Sequence, residues 1–339
     1  MAFDGFLMAA LTKELSDRLT GGHLQKISQP EQDELILAVK NNRQTWRLVL
    51  SASPSLPLIY LTDKSKTAPL TAPNFCMLLR KHLSGARICR IYQHELERVI
   101  FIEFENRNEL GDLVHRNLVI EIMGKHSNII FLDEENKIVD SIRHVSALVS
   151  SVREVLPGRT YFIPNTREKH NPFELTTELW MTELTKQPVS IAKGLCNYLT
   201  GFSFSMAQEV AYRCHLDGDD PFASCNGNQL STLLSCLRAL MEHVKNGNFE
   251  PEIVFHNGEP VEFSAFEMKR YEAEGYEHRP FESVSRMIEV FYGEKEMIQR
   301  IRQKSADLRK NVTNLLERDQ KKIDIQRKQL KDTEKRERF

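Results

Sequence analysis

Leu35-Ile36-Leu37-Ala38-Val39, Trp46-Arg47-Leu48-Val49-Leu50 and Leu58-Ile59-Tyr60-Leu61 are three short apolar runs separated by short polar connections. Asn41-Asn42 divides the first two, and Pro54 and Pro57 break the chain before the third. Short strands joined by short turns read as an antiparallel meander. Upstream, Phe6, Leu7, Ala10, Leu11, Leu15 and Leu19 recur at helical spacing. Downstream, Asn74 is placed to cap a helix running to Leu83, and Pro30 marks a turn ahead of the first run. Further strands are expected at Val99–Phe104, Leu118–Met123, Asn128–Leu132 and Ile138–Ile142. Together these predict an α+β first domain over residues 1–170.

A second domain is expected over 171–278. Its pattern is helical from Pro172 to about Lys245, and Asn257-Gly258 is the turn of a small hairpin between Ile253–Phe255 and Val261–Phe263. A third part, 279–339, reads as one long helix. Ile298, Ile301, Ser305, Leu308, Val312 and Leu315 alternate spacings of three and four, the seam of a coiled-coil strand. The seam drifts at Ile323 and Leu330. Such a strand needs a partner, either in chain beyond Phe339 or in a second copy.

Charge divides the chain at similar places. Residues 1–170 carry 22 Lys/Arg against 20 Asp/Glu, residues 171–294 carry 9 against 19, and residues 295–338 carry 15 against 8. The near-zero total of −1 therefore hides an acidic middle and a basic tail. The apolar start is too short, and lacks the basic flank, for a signal peptide or a membrane span. The six cysteines form no C-x-x-C pair and no His cluster accompanies them at zinc spacing, so reduced, mostly buried thiols and no metal or other cofactor are expected.

Several stretches resemble the RqcH/NEMF family, whose bacterial members are often labelled FbpA-like fibronectin-binding proteins. These are Phe3-Asp4-Gly5-Phe6, Gly21-Gly22-His23-Leu24-Gln25-Lys26-Ile27-Ser28-Gln29-Pro30, and above all Glu121-Ile122-Met123-Gly124-Lys125-His126-Ser127-Asn128-Ile129-Ile130. Leu156-Pro157-Gly158 with Tyr161 and Pro164, and Phe291-Tyr292-Gly293-Glu294-Lys295, follow at the family's spacing. The resemblance implies an amino-terminal domain similar in fold to formamidopyrimidine-DNA glycosylases, then a helix-hairpin-helix-like domain, then a coiled-coil arm. It implies a cytoplasmic, non-catalytic factor bound to large ribosomal subunits that still hold peptidyl-tRNA. Bacterial members recruit alanyl-tRNA and support alanine tailing of the stalled chain. The family's functional Asp-Arg pair falls on Glu97-Arg98, where the longer Glu shifts the carboxylate by about one bond length.

On that resemblance the expected tRNA-binding residues are Glu97, Arg98, Glu121, Ile122, Met123, Gly124, Lys125, His126, Ser127 and Asn128. From pattern alone, Glu121–Asn128 reads rather as a polar turn between core strands; the family resemblance reverses that order. Arg300, Arg302, Lys304, Arg309 and Lys310 are a basic stripe suited to rRNA on the ribosomal subunit, or to an exposed coiled-coil face. Arg80, Lys81, His82, Arg87, Arg90, His94 and Arg98 form a basic group suited to RNA phosphates, with a solvated helix face as the plain alternative. In the hairpin candidate Leu199–Ala207 the second expected Gly is Ser203, which points away from a phosphate grip. A surface adhesin for fibronectin is the alternative function. A DNA glycosylase is not expected, because the chain begins Met1-Ala2-Phe3-Asp4 rather than with a proline nucleophile after Met1.

Overall fold

The computed structural model describes residues 3–108, 110–164 and 169–336, with the side chains of 294–304, 306–307, 311 and 330–336 outside the description. The first helix, α1 (Gly5–Leu19), is apolar around most of its circumference: Phe6, Leu7, Met8, Ala10, Leu11, Leu15 and Leu19 are all buried. A helix with so little polar face belongs inside a core. It packs on a nine-stranded antiparallel sheet and reaches the helices of the middle region.

The strands are β1 (His23–Glu31), β2 (Glu34–Asn41), β3 (Gln44–Ser51), β4 (Leu58–Thr62), β5 (Arg87–Gln93), β6 (Val99–Arg107), β7 (Leu113–Glu121), β8 (Asn128–Leu132) and β9 (Ile138–Ser141), in the order β4-β3-β2-β1-β5-β6-β7-β8-β9. The expected meander is the half built from β2, β3 and β4. The second half, β5 to β9, joins it through a narrow β1–β5 pairing at His23 and Arg87. Gly22 makes this junction close: a Cβ there would sit 2.8 Å from Val39 Cγ1 and 2.9 Å from Leu19 O.

Several sequence expectations are corrected. Pro30 lies inside β1, next to a bulge, rather than in a turn. The polar run His23–Glu31 conceals this strand because bulges interrupt its alternation. Asn74 is the first residue of α2 (Asn74–Leu83), whose cap position is Pro73. Arg87 and Arg90 lie on β5, so the basic group is divided between a helix and a strand and is no single helix face. Ile122, Met123 and Ile142 fall just past the ends of β7 and β9.

The middle region contains α3 (Thr177–Thr182), α4 (Ile191–Tyr198), α5 (Phe204–Arg213) and α6 (Gly227–Lys245). Asn226 and Gln229 form a reciprocal capping box at the start of α6. Trp180 is fully buried and its indole N–H donates to Leu230 O at 3.0 Å. The hairpin β10 (Glu252–His256) and β11 (Glu259–Ser264) turns at Asn257 (φ 52°) and Gly258 (φ 79°), both left-handed as a type I′ turn requires. A third strand, β12 (Tyr276–Pro280), pairs with β10 and was hidden by its charged composition. Residues 1–289 form one compact unit.

The second unit begins at Val290, within α7 (Val284–Arg336). Leu308, Val312, Leu315 and Ile323 are all exposed, so these positions of the expected seam face solvent in this chain. Arg309 and Lys310 are exposed on it, whereas the side chains of Arg300, Arg302 and Lys304 lie outside the described residues, as do Met1 and Ala2. Among the described residues no helix is long and apolar enough to cross a membrane. All six cysteines are free. Cys76 and Cys214 are buried and the other four half-buried, a more exposed set than expected.

Candidate functional site

The β5–β6 turn holds Glu97 and Arg98 by its backbone. Glu95 takes a left-handed conformation (φ 48°), Glu97 N–H donates to His94 O at 2.9 Å, and the Gln93 side-chain amide donates to Glu97 O at 2.8 Å and to Gly5 O at 2.9 Å. Ile122 N–H donates to Arg98 O at 2.9 Å, tying this turn to the end of β7. Leu96 is fully buried beneath Gly5 and Gly201. The Glu97 and Arg98 side chains remain half-buried, and no described residue pairs with the Arg98 guanidinium.

These residues line a cleft of about 810 Å³ whose other walls include Asp4, Met123, Lys169, Gly201 and Phe204. Its floor is a close crossing of two backbones: Gly5 N–H donates to Gly201 O at 2.9 Å. Asp4 caps α1, accepting from Phe6 N (3.1 Å) and Leu7 N (2.9 Å), and accepts the Ser203 hydroxyl at 2.7 Å. Ser203 in turn caps α5 by accepting from Met206 N at 3.1 Å. A serine in place of the expected glycine thus serves two helix ends at once.

Acidic groups already gather at the start of α5. Beside Asp4, Ser205 Oγ donates to Glu262 Oε2 at 2.6 Å, and Arg270 lies 3.9 Å from the same carboxylate. Two carboxylates at this helix end oppose a phosphate there. The cationic side of the cleft is Arg98 with Lys169, whose ammonium donates to Cys196 O at 2.8 Å.

Burial pushes the Asp4 carboxyl up to about 6; the hydrogen bonds from Leu7 N–H and Ser203 pull down, Glu262 pushes up, and the Phe6 N–H bond pulls down. Because the folded value lies above the unfolded one, the stability Asp4 contributes is fullest below about 3.8 and falls as pH rises through about 6. Replacing it with asparagine removes this titration. The stability of Asp4→Asn relative to the parent is expected to improve by about 1.4 kcal/mol between pH 5 and 7.5. Parallel urea-denaturation midpoints across that range would refute the assignment.

The loop after β7 divides the remaining expected residues. Glu121 is fully buried; it pairs with Arg153 and accepts the Tyr161 hydroxyl at 2.8 Å. Ile122, Ser127 and Asn128 are buried as well. The Ser127 hydroxyl accepts from Met123 N at 2.8 Å, and Asn128 clasps the next loop by donating to Arg143 O (2.9 Å) and accepting from Arg143 N (3.2 Å). The expectation that Lys125, His126, Ser127 and Asn128 all face bases is therefore corrected: Ser127 and Asn128 are committed to holding the loop. Lys125 and His126 are exposed on a 3₁₀ turn that Gly124 begins with φ 60°. Met123 lines the cleft with Glu97 and Arg98, whereas Lys125 and His126 do not.

The Asp4–Ser203 bond and the Gly5–Gly201 crossing had no local sequence signal, although Phe3-Asp4-Gly5 and Gly201 stood in stretches already singled out. The chain matches the family model of NFACT N-terminal and middle domains over residues 4–339. It is 34% identical over 340 residues to a Bacillus subtilis (strain 168) protein named Rqc2 homolog RqcH, with 100% of this chain and 57% of that protein covered. It thus spans a little over half the length of that relative. Among solved structures it is similar to the N-terminal part of the fibronectin/fibrinogen-binding protein from Streptococcus suis, with TM-score 0.70, 31% identity, and 86% and 99% of the two chains covered. The fibrinogen binding protein from Staphylococcus aureus has TM-score 0.70, 30% identity and the same coverage. With the family pattern matched from Asp4 to the end of α7, the chain belongs to the RqcH/NEMF family, as its NFACT N-terminal and middle domains.

Proposed function

We propose that this chain is the front part of a cytoplasmic ribosome-associated quality-control factor. It binds obstructed large ribosomal subunits with peptidyl-tRNA and recruits tRNA, alanyl-tRNA in particular, for alanine tailing of the stalled chain. The observation that carries this reading is the cleft, where Arg98, unpaired among the described residues, stands on a turn fixed by two backbone–backbone hydrogen bonds and two from the Gln93 side-chain amide. A guanidinium so placed suits a phosphate, to which it offers two parallel N–H donors. The name of the Bacillus subtilis relative supports the ribosomal setting.

In this reading Arg98 contacts the tRNA backbone, and Glu97 accepts from a ribose hydroxyl or a base amine. Met123 packs against the bound strand. Lys125 and His126 add a cation and a stacking ring from the neighbouring turn. Glu121, Ile122, Gly124, Ser127 and Asn128 act by holding that turn. Arg309 and Lys310, with Arg300, Arg302 and Lys304, supply charge toward rRNA. None of these roles involves covalent catalysis.

The names of the solved relatives, a fibronectin/fibrinogen-binding protein and a fibrinogen binding protein, favour a second reading, a surface adhesin for fibronectin or fibrinogen. Sucrose-gradient sedimentation of the full-length protein from cell lysate, followed by sequencing of the associated RNA, separates the two. Migration with free large subunits and tRNA is expected. Recovery only in the cell-surface fraction would reject the ribosomal reading.

A further inference from the structure

Cys89, Glu105 and His115 come together on one face of β5, β6 and β7, each offering a ligand atom, with all these atoms within 4.8 Å of one another. The register explains why. Glu105 lies opposite His115, and the bulge between Ile88 and Arg90 carries Cys89 beside them. Glu103, two residues from Glu105 on the same face, holds His115 Nδ1 at 3.2 Å. A hydrogen bond from Nδ1–H to that carboxylate would orient the ring and free Nε2 for a metal, the arrangement that metal-bound histidines use. One pleat along from His115, Asn117 lies opposite Glu103 and keeps a buried side-chain oxygen with no hydrogen-bond partner among the described residues.

We propose that Cys89, Glu105 and His115 form a binding site for one divalent transition-metal cation of the zinc class. The donor set decides the class. A thiolate and an imidazole favour zinc-type ions, whereas calcium and magnesium prefer all-oxygen shells. Three protein ligands leave a fourth tetrahedral position for water. Binding transfers the Cys89 thiol proton to solvent as the sulfur–metal bond forms, with no change in oxidation state. Arg87, 3.9 Å from Glu105 and 54% exposed, is the competing cation. An exposed pair of this kind is weak, and a directly coordinated ion displaces it. The cluster shares no residue with the cleft. Its members are too widely spaced in sequence to form a recognisable metal motif, which explains the sequence expectation of none.

The test is titration of the whole metal-free chain with Co²⁺ alone. One equivalent is expected to give thiolate-to-cobalt charge-transfer absorption in the near ultraviolet, and Zn²⁺ is expected to bleach it. Cys89→Ser should abolish the band, while Cys214→Ser leaves it intact. His115→Ala, at a side chain 48% exposed and therefore tolerant of change, should weaken Co²⁺ binding about tenfold or more. No band in the parent chain, a band that persists in Cys89→Ser, or unchanged affinity in a folded His115→Ala would each overturn the proposal.

Discussion

Replacing Gly201 with alanine is expected to destabilise the chain by about 3–5 kcal/mol, enough to leave much of it unfolded at 37 °C. Two costs combine. Gly201 has φ +86°, a region where a side chain strains the backbone by about 1–3 kcal/mol. The new Cβ would also sit 2.5 Å from Leu96 Cβ and 2.8 Å from Leu96 O. Leu96 is fully buried between Gly5 and Gly201, so neither the side chain nor its carbonyl has room to retreat. Gly85 isolates the first cost: its φ is +72°, but nothing lies within 4 Å of its Cβ position. Gly85→Ala should therefore lose only about 1–2 kcal/mol. Equal urea midpoints for the two variants would show that the backbone crossing beneath the cleft is not close-packed.

The second large effect is expected at Arg153. Its guanidinium pairs with Glu121, which is fully buried and also accepts the Tyr161 hydroxyl. The negative charge of Glu121 holds the Tyr161 hydroxyl above its usual range, together with burial, which is the larger cause. Arg153→Met strands a carboxylate in the interior and should cost about 3–5 kcal/mol. Removing both charges in Glu121→Leu with Arg153→Met should recover most of that loss, because the ion pair itself contributes little beyond its own desolvation. A double variant no more stable than Arg153→Met alone would contradict this account. Tyr161, which bonds Glu121, packs with Met123 against the small core of Val99, Phe101, Val119, Ile130, Leu132, Ile138 and Val155. Loss of the ion pair would reach the cleft through Met123.

The sequence showed the elements whose apolar pattern is uninterrupted. The stripe from Phe6 to Leu19 read as a helix, and Leu35–Val39, Trp46–Leu50 and Val99–Phe104 read as strands, because a buried face repeats at the period of its element. β1, β5 and β12 escaped because their exposed faces carry charge and, in β1 and β5, bulges shift the alternation. Glu97-Arg98, which line the cleft, and Gly124–His126, which do not, were both singled out through the family resemblance. What local pattern could not reveal was which side chains of that stretch face inward. Glu121 and Asn128 look like ligands in sequence, yet each satisfies partners contributed by loops further along the chain, Arg153 and Tyr161 in one case and Arg143 in the other. The Asp4–Ser203 bond is a long-range contact of the same kind.

The most direct test of the cleft as an RNA-binding surface is tRNA binding by the full-length protein with Glu97 and Arg98 both changed to alanine. The account predicts that affinity for tRNA falls about tenfold or more, the usual cost of losing a charge-assisted contact, with the melting temperature preserved. Parent-like tRNA affinity in a variant that remains folded would contradict it.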